Sequence, residues 1–346
     1  MHERWLLRHG PGPGRYVYRT AKGERASPGR ARAIDALAIP PGWRDVHVAV
    51  SGRAAIQAWG FDSRGRKQYR YHPRATQRGE LRKYYRVRQL GRDLPVIRRR
   101  LDADFATPGL GRERVLAGVV RLLSRGFFRV GSERYARENH TFGITTMLKR
   151  HVSVRGDTVV FDYVGKRGIR HRRVVVSAEL ARFVAEEMRA PGRRLFRYWI
   201  GDGAWADVTA MQLNEYLRRI GSFPYSAKDF RTWGGTLLAA TVLAELGPAR
   251  GESEARRNVA TAMRLVAAEL GNTPAICRKS YVHPAVLERY VSDGATIATG
   301  SRRRETRARR HDPCAHTPEE RELMAFLDRY FPERRRRPRE RGTTRR

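Results

Sequence analysis

Apolar and polar positions alternate in three short runs near the start of the chain. Val46-His-Val-Ala-Val50 and Ile56-Gln-Ala-Trp59 have the two-residue period of half-buried strands. Lys67-Gln-Tyr-Arg-Tyr-His72 repeats it with aromatic and basic side chains, so one face can pack while the other meets phosphates. Asp62-Ser-Arg-Gly65 supplies turn residues before this third run. From Gly79 the period becomes helical, over Leu81 to Leu90 and Arg112 to Leu123. Alternation returns in His151–Gly156, Thr158–Val164 and Arg170–Val176. These predict a three-stranded meander turning at Gly156-Asp157 and Gly165-Lys-Arg-Gly168. Helices are then predicted at Ala178–Arg189, Asp207–Ile220, Ala227–Leu246 and Glu252–Leu270. Gly221, Gly247-Pro248 and Gly271 punctuate their ends, and Asp207 and Thr209 compete to cap the second. The Gly234-Gly235 pair in the most apolar of them implies close packing, at some cost in helix propensity. After about residue 292 the pattern decays, with one short helix predicted over Glu319–Tyr330.

These elements predict an α+β protein. Residues 1–35, rich in Gly, Pro and Arg, read as a poorly ordered arm, and 36–78 as the core of a small β-rich domain. Residues 79–292 read as a mainly helical domain with a three-stranded antiparallel sheet, and 293–346 as a basic tail. Charge then narrows the partners. The 346 residues hold 71 Lys+Arg against 35 Asp+Glu, a formal net charge of +36. Such an excess favours a large polyanion, nucleic acid before an anionic membrane surface. Two cysteines, Cys277 and Cys314, argue against a disulfide scaffold or a thiolate metal site. The first residues lack the long apolar run of a signal peptide, and no stretch has the length of a membrane span. The expectation is a cytoplasmic, nucleoid-associated protein.

Cutting a phosphodiester needs an in-line nucleophile, cationic or hydrogen-bonding groups on the non-bridging oxygens, and an acid for the departing hydroxyl. A metal can meet several of these needs, but the acidic residues form no cluster that forces a two-metal site, and His151 and His171 fall in no recognised ligand spacing. Arg and Lys remain, and the planar fork of Arg suits phosphate. Composition does not choose among 71 basic residues or 14 tyrosines.

Five segments, in order, make the choice. They are Gly65-Arg-Lys-Gln-Tyr-Arg-Tyr-His-Pro73, Arg129-Val-Gly-Ser-Glu-Arg-Tyr-Ala-Arg-Glu-Asn139, Tyr163-Val-Gly-Lys-Arg-Gly168, Lys228-Asp-Phe-Arg-Thr-Trp233 and Leu270-Gly-Asn-Thr-Pro-Ala-Ile-Cys-Arg-Lys-Ser-Tyr-Val-His-Pro284. Together they resemble the type IB DNA topoisomerases, in the compact bacterial form similar to the poxvirus enzymes, over roughly residues 35–292. The resemblance implies that Tyr281 is the nucleophile that forms a 3′-phosphotyrosyl bond. It implies that Arg129 and Arg231 hold the non-bridging oxygens and that Lys166 protonates the leaving 5′-oxygen, with Arg167 its chemical rival. Asn272 stands where many relatives have histidine, and an amide donates a hydrogen bond but carries no imidazolium charge. Gln68, Tyr69, Tyr71, Tyr135 and Lys228 match DNA-contacting positions. Tyrosine recombinases share this chemistry but usually place histidine where Lys228 stands, and they usually begin with a helical module. The resemblance further implies relaxation of double-stranded DNA by a monomeric clamp without ATP, cofactor or required metal.

Overall fold

Strand alternation in the first part of the chain closes into one antiparallel sheet. The computed structural model describes residues 4–10, 12–298 and 312–331. The chain divides into two compact units, Met1–Lys83 and Tyr84–Arg346. In the first, β1 (Trp5–His9), β2 (Val17–Arg19), β3 (Arg44–Ala49), β4 (Ile56–Phe61) and β5 (Lys67–Tyr71) form a sheet ordered β2-β1-β3-β4-β5. Leu6, Val46, Val48 and Ala58 point to the inner face and pack with Tyr18 and with Ile34 of α1 (Pro28–Asp35). Ser27 caps that helix by accepting the Arg30 N–H at 3.3 Å.

Residues 1–35 therefore depart from the expected unstructured arm. They supply two strands and a helix, and β1 lies inside the sheet, paired with β2 and β3. Leu6 is 3% exposed. The strand is fixed by pairing with residues some forty positions later, a non-local term that Gly- and Pro-rich local sequence conceals.

The second unit is mainly helical. It contains α2 (Pro73–Phe105, from Tyr84 onward), α3 (Arg112–Gly126), α4 (Glu133–Asn139), α5 (Ala178–Arg189), α6 (Ala210–Ile220), α7 (Ala227–Leu246), α8 (Glu252–Leu270), α9 (Pro274–Ser280), α10 (Pro284–Asp293) and α11 (Pro318–Tyr330). The expected meander is present as β6 (Val152–Arg155), β7 (Thr158–Val164) and β8 (Arg170–Val176) in that order. A further hairpin, β9 (Arg197–Gly201) and β10 (Ala204–Asp207), was not expected. Thr209, not Asp207, caps α6, because Asp207 is still paired in β10.

The two helical runs expected over 81–90 and 112–123 differ in outcome. The second is α3, while the first is part of the 33-residue α2, which continues through Pro95. A proline there has no N–H for the Gly91 carbonyl. His316 replaces it, its Nε2–H donating to Gly91 O at 2.6 Å. Gly91 also leaves room for Trp233 of α7, which a β-carbon would overlap. The helix expected near the C-terminus is α11, and it belongs to this unit's core through Leu323, Phe326 and Leu327. Arg98 holds Glu320 in two hydrogen bonds of 2.9 and 2.6 Å. Most of the basic tail, residues 299–311 and 332–346, lies outside the described residues. No helix among the described residues is long and apolar enough to cross a membrane.

Candidate active site

The segment around Tyr281 is shaped by three local rules. Gly271 ends α8 in the left-handed region at φ 58°, which suits glycine. Thr273 then caps α9, accepting the Ile276 N–H at 3.3 Å, and Pro274 fills the first helical position. Seven residues later the helix stops and leaves Tyr281 at its C-cap. The α2 residue Tyr84 donates to the Lys279 carbonyl at 3.2 Å and ties down the last turn. Across from it runs α7. A β-carbon at Gly235 would come 2.7 Å from Tyr281 O, and one at Gly234 would strike the Phe127 ring. The glycine pair thus allows the close approach that its sequence implied.

Arg231, on α7, is 3% exposed. Its guanidinium carbon lies 5.2 Å from the centre of the Tyr281 ring, a cation–π distance. Its Nη2 donates to Leu270 O at 2.9 Å, while Nε is buried without a partner among the described residues. Burial pushes its pKa down; the Tyr281 phenol opposes that shift, and the nearby Arg129 charge adds to it. A buried guanidinium with an idle N–H is costly unless an anion completes it.

Arg129 arrives from another direction. Phe127 ends α3 at φ 50°, and the neighbouring Phe128 ring is buried against Phe161, 4.8 Å between centroids. Arg129 O accepts the Ile144 N–H at 2.8 Å, so the backbone is pinned. From there Nη2 donates to Gly271 O at 2.6 Å and to Asn272 Oδ1 at 2.7 Å. Nη1 meets His171 Nε2 at 3.4 Å. These contacts engage three of the five guanidinium N–H groups, and the other two have no partner among the described residues. Arg129, Arg231, Asn272 and Tyr281 are thus brought together at the α8–α9 corner. Both arginines rest on backbone carbonyls at the end of α8, where the helix dipole favours cations.

Lys166 is placed differently. It begins the 3₁₀ turn Lys166–Gly168 between β7 and β8, and both Lys166 and Arg167 are exposed. The turn is nevertheless tied to the corner, because the preceding Gly165 packs directly on His171. Lys228 is exposed on the first turn of α7, and Tyr135 is 43% exposed on α4. On the five-stranded sheet, cross-strand register puts His47, Trp59 and Tyr69 in one row of the outer face. His47 stacks on Trp59 at 3.8 Å and Lys67 Nζ sits 3.6 Å from the Trp59 ring centre. Tyr69 and Tyr71 share that face, their rings 5.8 Å apart and 40% and 53% exposed. Gln68 does not join them; it is turned to Asp62, donating at 2.9 Å.

Family models match both parts of the chain. Residues 72–307 match the family model described as eukaryotic DNA topoisomerase I, catalytic core, and residues 15–62 match bacterial DNA topoisomerase IB, N-terminal domain. The chain belongs to the type IB DNA topoisomerases. The DNA topoisomerase 1B of Acanthamoeba polyphaga mimivirus is 31% identical over 264 residues, covering 74% of this chain and 79% of the viral protein. The vaccinia virus (Copenhagen) DNA topoisomerase 1B is 24% identical over 241 residues, covering 66% and 70%. The DNA topoisomerase 1 of Schizosaccharomyces pombe matches 48% of this chain at 28% identity, but only 20% of its own length.

Within this topoisomerase fold one residue at the corner was not expected from motif spacing. His171 is 6% exposed and touches Arg129. Burial, then the charges of Arg129, Arg173 and Arg231, push its pKa down to about 4, so it is neutral at physiological pH. Its signal in the sequence is one of phase: in β8 the inward positions are His171, Arg173 and Val175, while Val174 and Val176 face out. No group of His, Cys, Asp and Glu that could hold a metal occurs among the described residues.

Proposed function

We propose that this type IB topoisomerase relaxes supercoiled double-stranded DNA through a covalent bond from Tyr281 to a DNA 3′ end. The observation that carries this reading is the buried Arg231, with an unpartnered Nε and the Tyr281 ring beside it. In the proposed step the Tyr281 hydroxyl loses its proton to water and its oxygen attacks the scissile phosphorus. The bond from phosphorus to the 5′-oxygen breaks, and Lys166 gives that oxygen a proton. Arg231 and the two idle N–H groups of Arg129 meet the non-bridging oxygens, where charge gathers as the phosphorus becomes pentacoordinate. Asn272 orients Arg129 by accepting from it and has amide hydrogen left for the phosphate.

The cut strand then rotates about the intact one, and its 5′-hydroxyl attacks the phosphotyrosine to restore the original bond. One ester replaces another in each direction, so no ATP is consumed. Tyr69, Tyr71, Tyr135 and Lys228, all exposed, are proposed to contact DNA mainly through its backbone, with the protein acting as a monomer. Gln68 would have to release Asp62 to do the same.

The deciding experiment incubates the protein with negatively supercoiled plasmid in EDTA without ATP, beside Tyr281→Phe. Relaxation by the native chain alone is expected, with protein trapped on 3′ ends by denaturant. Relaxation that survives the substitution, or linkage to 5′ ends, overturns the reading.

A further inference from the structure

His171 lies at the meeting point of three pieces of the site. A β-carbon at Gly165 would come within 2.5 Å of its Cδ2, and one at Gly271 would overlap its Cε1 edge. The ring therefore fills the space between the turn that carries Lys166 and the corner that carries Asn272. Across β7 and β8 it is paired with Tyr163, the rings 5.4 Å apart. Its third contact is Nε2 to Arg129 Nη1, at 3.4 Å. A guanidinium only donates, so Nε2 must be the acceptor and the ring proton must sit on Nδ1. The charged groups that act on the ring are Arg129 before α4, Arg173 on β8 and Arg231 on α7. All three are cations and oppose a charged imidazole.

We infer that His171 is a positioning residue for strand cleavage: its neutral ring fixes Arg129 and holds the Lys166 turn in register with it. Resting on the proposed phosphate role of Arg129, the inference adds a residue that touches no substrate. An imidazole supplies two things there, a flat body that fits between two glycines and a lone pair for Arg129. Glutamine can return the lone pair, since its carbonyl oxygen reaches about as far as Nε2. Phenylalanine returns the body without the lone pair.

The test is single-turnover cleavage of a duplex oligonucleotide that loses its short 5′ leaving strand, with DNA affinity measured separately. His171→Ala should slow cleavage about 10²-fold, the scale of a misplaced catalytic group, while affinity changes little. His171→Gln should recover most of the rate, and His171→Phe should not. The double variant of His171→Phe, which keeps the ring body against the Lys166 turn, with Arg129→Ala should cleave no more slowly than Arg129→Ala alone. Thermal melting of the Gln and Phe variants near the native midpoint excludes a folding defect. Full activity in His171→Phe, no recovery in His171→Gln, or a further multiplicative loss in the double variant overturns the inference. Native cleavage by Arg129→Ala alone removes the underlying role of Arg129, and the inference with it.

Discussion

Arg231 presents its guanidinium to the face of Tyr281 while resting on the carbonyl of Leu270. One nitrogen of the guanidinium is thus held by the α8 terminus, while the group borders the phenol and has an N–H to give. Arg231→Ala should slow single-turnover cleavage about 10²–10³-fold, the usual effect of losing one preorganised donor. Arg231→Lys should recover only part, because an ammonium keeps the charge but not the fork. Rapid-quench kinetics measure both. A loss below tenfold in the alanine variant would leave Arg231 without the proposed role.

Lys166 and Arg167 are adjacent, basic and exposed in one turn. They differ in backbone, since Arg167 sits at φ 70° and serves the turn itself. Lys166→Ala should slow cleavage about 10²–10⁴-fold, the range of general-acid catalysis. Arg167→Ala should stay near the native rate. A substrate with sulfur at the bridging 5′ position leaves without an acid and should restore the Lys166 variant. Equal losses in both variants, or no rescue by sulfur, would refute the assignment.

Gly235→Ala tests the approach of α7 to the nucleophile's backbone. The added carbon would meet Tyr281 O at 2.7 Å, and a carbonyl in a capped corner has little freedom to move. Overpacking of this kind costs about 1–3 kcal/mol. Urea denaturation should show that loss, and cleavage should fall as Tyr281 shifts. Native stability and rate together would mean that the corner is looser than its geometry indicates.

Glu187 gives a pH signature. Burial raises its carboxyl pKa to about 8, although the Arg197 N–H donates to it. Its other oxygen is buried without a partner among the described residues. The folded state therefore holds the proton more tightly than the unfolded chain, where 4.5 applies. The stabilisation is full below pH 4.5 and is lost as pH rises toward about 8. His171 acts in the opposite sense at lower pH, its depressed pKa costing stability as pH falls from 6.5 toward about 4. Comparison with Glu187→Gln cancels the histidine. Relative to native, that variant should gain about 1.4 kcal/mol per pH unit between pH 4.5 and about 8. Parallel stability curves would show that Glu187 is charged in the fold.

Local sequence defined much of this architecture. β7, β8, α5, α7 and α8 begin and end where alternation, helical spacing and terminal glycines placed them. β1 was hidden because its partner β3 is distant, and α2 because Pro95 reads as a stop unless His316 is known to relieve it. The β9–β10 hairpin turns through Gly201-Asp202-Gly203, a short turn signal set between longer helices. For the site, single residues were weak candidates until family motifs tied them together. Convergence at the α8–α9 corner is tertiary, which is why His171, with no motif of its own, emerged only with the fold.

The end of α8 gives the site its temperament. No ion pair to a carboxylate is formed by Arg129 or Arg231 among the described residues; their main acceptors are peptide carbonyls and one amide oxygen. Helix-end carbonyls carry about half a unit of negative charge in total, whereas a phosphodiester carries a full one. An aspartate in that place would compete with the backbone of DNA on equal terms. A helix terminus keeps the two guanidinium groups aligned while the protein waits, yet its weaker grip yields to an arriving phosphate. The resting site is thereby ordered without being neutralised.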